Sequence, residues 1–571
     1  MQLTRHLVLL AFAVTAWGLV PQLSPHVRHE SRRSLPAEWF PVRRAEPDFV
    51  LPLRIGLIQP NLNDIESMLL DISHPDSPNY GNHWSAAKVA ATFRAPEESV
   101  RTVKEWLTGQ GVETANMRLS KAGNWIEADM SVAQAEALLK TEYHVYEHES
   151  TGTEHVACGS AYHLPEHVSK HVDLVTPTLH FDVKLRGRSG FVKRDSKPGE
   201  AGLGPVPLKT GGKLENIIDE LEDCDQHITP NCLRALYDFA YVRVATEKNS
   251  IGIVEYTPDS YLPGDLDMFF KNFSASQVGQ RPVFNSVDGG QLLPNKGFND
   301  NGESDLDLQY AMSLVGKSQP VTLYQAGDLV EGASFNNLLD ALDGSFCSFE
   351  GGDDPSQDSV FPDPSNSTGS FKGVEECGTI TPAHIISTSY SYNEADLTPF
   401  YTARQCAEYA KLGLMGVTVL YSSGDNGVAG HGNLCLTPNG TQVVNGPIFN
   451  PKFPSTCPFI TSVGATQVSP GKKVTDPESA CEQVIFSGGG FSNHFKIPDY
   501  QKSTVEGFLK NHPPPYPTTI WNATGSRAYP DIAANGLVYL TVLEVNDARL
   551  AIGKKTIGFI NPTVSSRSKD V

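Results

Sequence analysis

The stretch GVTVLYSSGDNGVAG, Gly416 to Gly430, decides the fold. Val417 to Tyr421 is a short apolar run without alternation, as expected of a strand buried on both faces. It stops at a Gly-flanked turn holding Asp425. Two other runs behave alike, SIGIVEY from Ser250 and FITSVGAT from Phe459. Helix-like segments separate them, among them LYDFAYVRVAT from Leu236 and FYTARQCAEYAKLG from Phe400. The alternation predicts an α/β class with a parallel sheet and helices on both faces. In such sheets chemistry gathers at the carboxyl ends of the strands, where Asp425 stands.

Upstream the pattern changes. In EESVRTVKEWLTGQG, Val100, Val103, Trp106 and Leu107 recur at helical spacing, and Gly109 and Gly111 supply a stop. NWIEADM alternates like a strand, and SVAQAEALLKTEY from Ser131 reads as a second helix. This part predicts a small α+β domain. Residues 189–215 are rich in Gly, Pro and Lys, a linker composition, and contain the dibasic pair Lys193-Arg194, a processing point in a secreted protein. The apolar run Leu7 to Val20 follows Arg5 and His6; it is too short to span a bilayer and suits a signal peptide. The expected organisation is a signal peptide at 1–18, a leader domain at 19–194, a linker at 195–222 and a main domain at 223–571.

The chain of 571 residues carries a net charge of -20. That field repels nucleic acid and anionic membrane, so neither is an expected partner. The charge is uneven, -2 through Arg194 and -18 beyond, while 12 of 17 histidines lie at or before His180. A His-rich leader on an acidic body gains positive charge as pH falls through about 6.5, which predicts release between about pH 7 and 5. Four N-x-S/T acceptors, Asn272, Asn366, Asn439 and Asn522, are glycosylation candidates in a secreted, extracellular chain. Eight cysteines from Cys224 to Cys481 suit disulfides, with Cys224 and Cys232 close enough to close a short loop; Cys158 stands alone upstream. No C-x-x-C or H-E-x-x-H occurs, so zinc has no support and no metal ligand is assigned.

The chemistry-bearing segments follow in order. GESDLDLQYAMSLV places Glu303 and Asp307 on one helix face, with Asp305 pointing elsewhere and Leu306, Leu308 and Tyr310 around them. Paired carboxylates in an apolar setting share a proton, which suits a base working in acid. Gly488 to Gly490 in FSGGGFSNHF leave a backbone bare enough for an extended peptide to pair with. RAYPDIAANG, Arg527 to Gly536, reads as turn and loop. Two carboxylates on one helix face cannot flank a sugar from opposite sides, which speaks against a glycosidase. The absence of an H-G-T-H segment speaks against a conventional Ser-His-Asp subtilisin.

Together GESDLDLQY, SSGDNG, FPSTCPFITSVGAT, SGGGFSNHF and RAYPDIAANG resemble the sedolisin family of serine-carboxyl peptidases, most closely the fungal secreted tripeptidyl peptidases. The resemblance implies a subtilisin-like fold, a leader acting as activation prodomain and intramolecular inhibitor, a monomer, polypeptide substrates and a calcium ion. It implies Glu303 as general base, Asp307 orienting it, a protonated Asp425 donating to the oxyanion, and Gly488, Gly489 and Gly490 holding the substrate backbone. The family's nucleophile lies in a G-T-S segment after the Tyr-Pro-Asp motif. Here Tyr529-Pro530-Asp531 is present and no G-T-S follows, with a join near Leu537 to Val545. Ser565, Ser566 and Ser568 sit in a polar tail without that context, and the chain stops before the expected calcium loop. Either the locus encodes an acid tripeptidyl peptidase of which this chain lacks a segment, or the chain is an inactive homologue that binds peptides or proteases.

Overall fold

A computed structural model describes residues 24–149, 152–181, 206–208, 221–239, 248–293, 298–349, 358–482, 485–522, 525–536, 541–544 and 557–561. The expected signal peptide and the Lys193-Arg194 pair lie outside the described residues.

The leader is an α+β unit. Its four-stranded antiparallel sheet runs in the order Met117–Leu119, Trp125–Ser131, Val50–Leu57, Val172–Thr176. Helices Glu97–Gly109 and Val132–Leu139 form where the helical spacing predicted them. Ser131 starts the second by capping the Gln134 N–H while the Gln134 side chain returns to the Ser131 N–H, satisfying two donors that a bare helix end leaves open. Leu53, Ile55, Val103, Leu107, Ile126 and Leu139 close the core.

The main domain is built on one mostly parallel sheet. Its strands in chain order are β1 (Ile251–Tyr256), β2 (Val283–Val287), β3 (Val321–Ala326), β4 (Ile385–Thr388), β5 (Thr418–Ser422), β6 (Thr461–Gln467), β7 (Ser479–Ala480) and β8 (Ile532–Asn535). The order is β2-β3-β1-β4-β5-β6, with β8 parallel to β6 and only β7 antiparallel. Because β1, β4 and β5 are adjacent and parallel, their carboxyl ends deliver Glu255, Ser389 and Asp425 to one edge. RAYPDIAANG is not a loop: Ser526–Tyr529 and β8 are both strands. The alternation is hidden because Arg527, fully buried, looks polar in sequence but forms a two-bond ion pair with Asp531, at 2.5 and 2.6 Å. Another difference lies at LYDFAYVRVAT: the helix there runs Pro230–Leu236, started by Thr229 capping the Cys232 N–H, and 240–247 fall outside the described residues. Within the expected linker, Val206–Leu208 pairs as a strand with Ile557–Asn561.

Three disulfides form, Cys224–Cys232, Cys347–Cys377 and Cys406–Cys457. The leader docks on the helix Pro399–Leu414. Ile65, Ile72, Val89 and Phe93 share an apolar cluster with Ala410 and Leu414, and the Trp84 N–H donates to the Leu414 carbonyl at 2.7 Å. Arg404 lies over the Trp125 ring and pairs with Asp173 at 3.1 Å.

Candidate active site

The helix Phe298–Val315 lines one cavity together with residues at the carboxyl ends of β4 and β5. Four residues make just over one turn, so Glu303 and Asp307 face the same way. Both line a cavity of about 370 Å³, and Asp425 lines it from the loop after β5. The structure thus gathers the three carboxylates that the sequence reading singled out. Asp305 indeed turns elsewhere, taking the Leu262 N–H at 3.0 Å; burial, then Asp265 beside it, push its carboxyl well above the usual range. Leu306, Leu308 and Tyr310 are buried around the pair.

A fourth carboxylate, Glu255, was not singled out from sequence. It is the last residue but one of β1, fully buried, and accepts from Ser304 at 2.6 Å and Tyr390 at 2.8 Å. Burial first, then the charges of Asp307 and Glu303, drive its carboxyl well above the usual range. The Tyr390 hydroxyl also lies 2.9 Å from Asp259 Oδ2, and burial raises Asp259 to about 6. One hydroxyl proton cannot serve both acceptors, so a proton on one carboxyl completes the chain. Glu255 was legible in principle: it is the lone charge at the end of an apolar parallel strand. Next to it Ser389, half-buried, donates to Asp307 Oδ2 at 3.0 Å.

The Asp425 turn is locked from two sides. Gly424 sits at φ +101°, a conformation side chains disfavour, and Lys452 packs under it. Lys452 is buried, donates to Asn426 Oδ1 at 3.0 Å, and is held down to about 8 by burial, against the pull of Asp425. On the other side the Gly488 N–H donates to the Gly424 carbonyl at 2.7 Å, and the Gly489 N–H to the Gly427 carbonyl at 3.2 Å. A Cβ at Gly488 would lie 2.0 Å from the Ser423 carbonyl oxygen. Gly490 starts a strand paired with Tyr529. The glycine run therefore braces the turn with one of its edges, a role that sequence did not reveal.

Asn272, Asn366, Asn439 and Asn522 are all exposed. Among the described residues the only cluster with metal-ligand spacing is Asp340, Cys347 and Glu375, and the Cys347 sulfur is bonded to Cys377. Two carboxylates do not fit calcium, which takes six to eight oxygens. Also among the described residues, no helix is long and apolar enough to cross a membrane.

Residues 37–181 match the Pro-kumamolisin activation domain. The chain is 38% identical to tripeptidyl-peptidase SED1 of Arthroderma otae, over 96% of this chain and 90% of that one. The chain belongs to the sedolisin family. Aorsin of Aspergillus oryzae is 37% identical over 94% of this chain and 88% of its own. Tripeptidyl-peptidase sed1 of Aspergillus fumigatus is 36% identical over 98% and 91%. A solved structure of Pseudomonas sedolisin, a serine-carboxyl proteinase complexed with two molecules of pseudo-iodotyrostatin, matches 59% of this chain and 78% of that one at 18% identity and a TM-score of 0.36. Membership makes this sedolisin-family chain a serine-type peptidase with an activation domain. The alignments to the first two relatives run to 616 and 593 positions against 571 residues here. At least 45 and 22 positions of those relatives therefore have no counterpart in this chain.

Proposed function

We propose a secreted acid serine-carboxyl peptidase, made as a zymogen, that releases N-terminal tripeptides from polypeptides. The observation that carries it is the convergence of Glu303, Asp307 and Asp425 on one cavity. Glu303 would take the proton of a serine hydroxyl, Asp307 would orient Glu303, and Asp425 would donate to the oxyanion. Gly488, Gly489 and Gly490 would hold the substrate backbone, Gly489 and Gly490 being half-exposed. The leader would keep the monomeric zymogen closed until the linker is cut. The described residues offer calcium no fit, and no step is assigned to it. A chain carrying a G-T-S segment between Asn535 and Asn546 is expected to release N-terminal tripeptides in acid, and Glu303→Gln to abolish the release. Activity indifferent to Glu303→Gln would refute the assigned base.

The missing counterparts favour a second reading, an inactive homologue acting by binding peptides or proteases. It predicts that the chain as given folds and binds peptide without cleaving it. Aggregation on expression would count against it.

A further inference from the structure

Ser387, Ser389 and Ser391 stand two apart along and beyond the end of β4, and all three line the cavity that holds Glu303, Asp307 and Asp425. Alternation of an extended chain puts such residues on one side. Their hydroxyls have different neighbours. Ser391 Oγ lies 2.8 Å from His431 Nε2, which also lies 3.1 Å from the Ser391 carbonyl oxygen, so an Nε2–H pointing at that oxygen leaves no lone pair to take a proton. The Ser389 hydroxyl donates to Asp307 Oδ2 at 3.0 Å, an oxygen that in the ionised carboxylate can take the proton. Ser389 is half-buried, whereas Ser391 is 3% exposed.

The geometry points to Ser389 as the acyl-accepting serine of the chain as it stands, with Asp307 as its base. The inference rests on the serine-carboxyl reading of this cavity and supplies the nucleophile that the absent G-T-S segment leaves open. Asp307 is placed to act as the base by the direct hydrogen bond it accepts from the Ser389 hydroxyl. In the step, Ser389 Oγ bonds to the carbonyl carbon, its proton passes to the Asp307 carboxylate, and the carbonyl electron pair moves onto oxygen, on the side of the cavity lined by Asp425. Collapse expels the amine, which takes the proton back from Asp307 and leaves an ester on Ser389.

A merely orienting hydroxyl would hold Asp307 in place and accept nothing, so covalent capture separates the two roles. The full chain is incubated with diisopropyl fluorophosphate between pH 4 and 7 and mapped by peptide mass spectrometry. The Ser389 oxygen–phosphorus bond forms, fluoride leaves and the proton goes to Asp307. The expected result is an adduct on Ser389, lost in Ser389→Ala and slowed roughly a hundredfold in Asp307→Asn. An adduct on Ser391, or none on Ser389 while circular dichroism shows the chain folded, overturns the inference. So does labelling indifferent to Asp307→Asn. If Ser389 stays unlabelled while the chain carrying the G-T-S segment releases tripeptides, this inference falls and the peptidase reading stands.

Discussion

The docking of the leader on the main domain gives a pH dependence whose sign can be worked through residue by residue. Glu30 is buried where the leader meets Thr398, and Tyr162 donates to it at 2.9 Å. Burial pushes its carboxyl from the ordinary 4.5 up to about 7. His180 lies 3.9 Å away, its ring against Tyr401 of the main domain. Burial, then the charges of Arg32 and His155, push it from 6.5 down to about 3. An acid raised on docking favours the docked state in acid, and that help is lost as pH rises through 7. A histidine depressed on docking favours the docked state above 6.5, and that help is lost as pH falls toward 3.

Both states therefore hold one proton on this pair between pH 6.5 and 4.5, whichever partner carries it, and the pair contributes no slope there. The release between pH 7 and 5 expected from the histidines is cancelled at this site by Glu30. Below 4.5 the undocked pair binds a second proton and opening gains about tenfold per pH unit down to 3. Glu30→Gln removes the compensation. The opening constant of the variant relative to the native chain then rises roughly a hundredfold between pH 7 and 4.5, the size of the Glu30 shift. Amide exchange of the docking helix and of the Trp84 N–H, corrected for intrinsic exchange, reads that opening. A ratio flat within about threefold from pH 7 to 4.5 would refute the reasoning, since every other titrating group at the interface is common to both chains.

Asp531→Ala strips Arg527, fully buried, of its partner; a loss of about 3 kcal/mol in urea unfolding at pH 7 is expected, and one under 1 kcal/mol would contradict it. Gly488→Ala drives a Cβ against the Ser423 carbonyl, costing about 1–3 kcal/mol and shifting the Asp425 turn; an unchanged unfolding midpoint would show that the turn yields freely. Glu255 carries its proton in acid, so in a chain with the G-T-S segment Glu255→Gln should cost far less kcat at pH 4 than Glu255→Ala, which empties the Ser304 and Tyr390 hydrogen bonds by about tenfold or more. Equal losses in the two variants would show that the Glu255 hydrogen bonds are not what matters.

Much of this architecture was legible because its signals are local. SIGIVEY is a strand buried on both faces, and such strands advertise themselves as unbroken apolar runs; Val417 to Tyr421 reads the same way, although Thr418 and Leu420 leave one face of that strand partly open. The Glu303–Asp307 pair was visible because helical spacing alone puts both on one face. Arg527 to Asn535 was misread because a buried ion pair looks like a solvated loop until both partners are placed. Glu255, Tyr390 and Ser389 escaped notice because what joins them to Asp307 is the adjacency of β1 and β4, residues more than a hundred positions apart. Six of the eight later cysteines join in the three disulfides, an apportioning that an even count alone does not foretell.

The placement of these carboxylates also bears on when the site can work. Glu255 and Asp259 share the Tyr390 hydroxyl, and Glu303 and Asp307 repel the Glu255 charge; Glu255 and Glu303 are buried and Asp259 and Asp307 half-buried, so water screens the group only in part. Ionising all of them at once is prohibitively costly, so the cluster stores protons as pH falls instead of dispersing. Moving the working range toward neutrality would need fewer carboxylates behind the pair, with Glu255 the first to change. That follows from the position of Glu255 at the end of β1, next to β4, and holds whichever serine attacks.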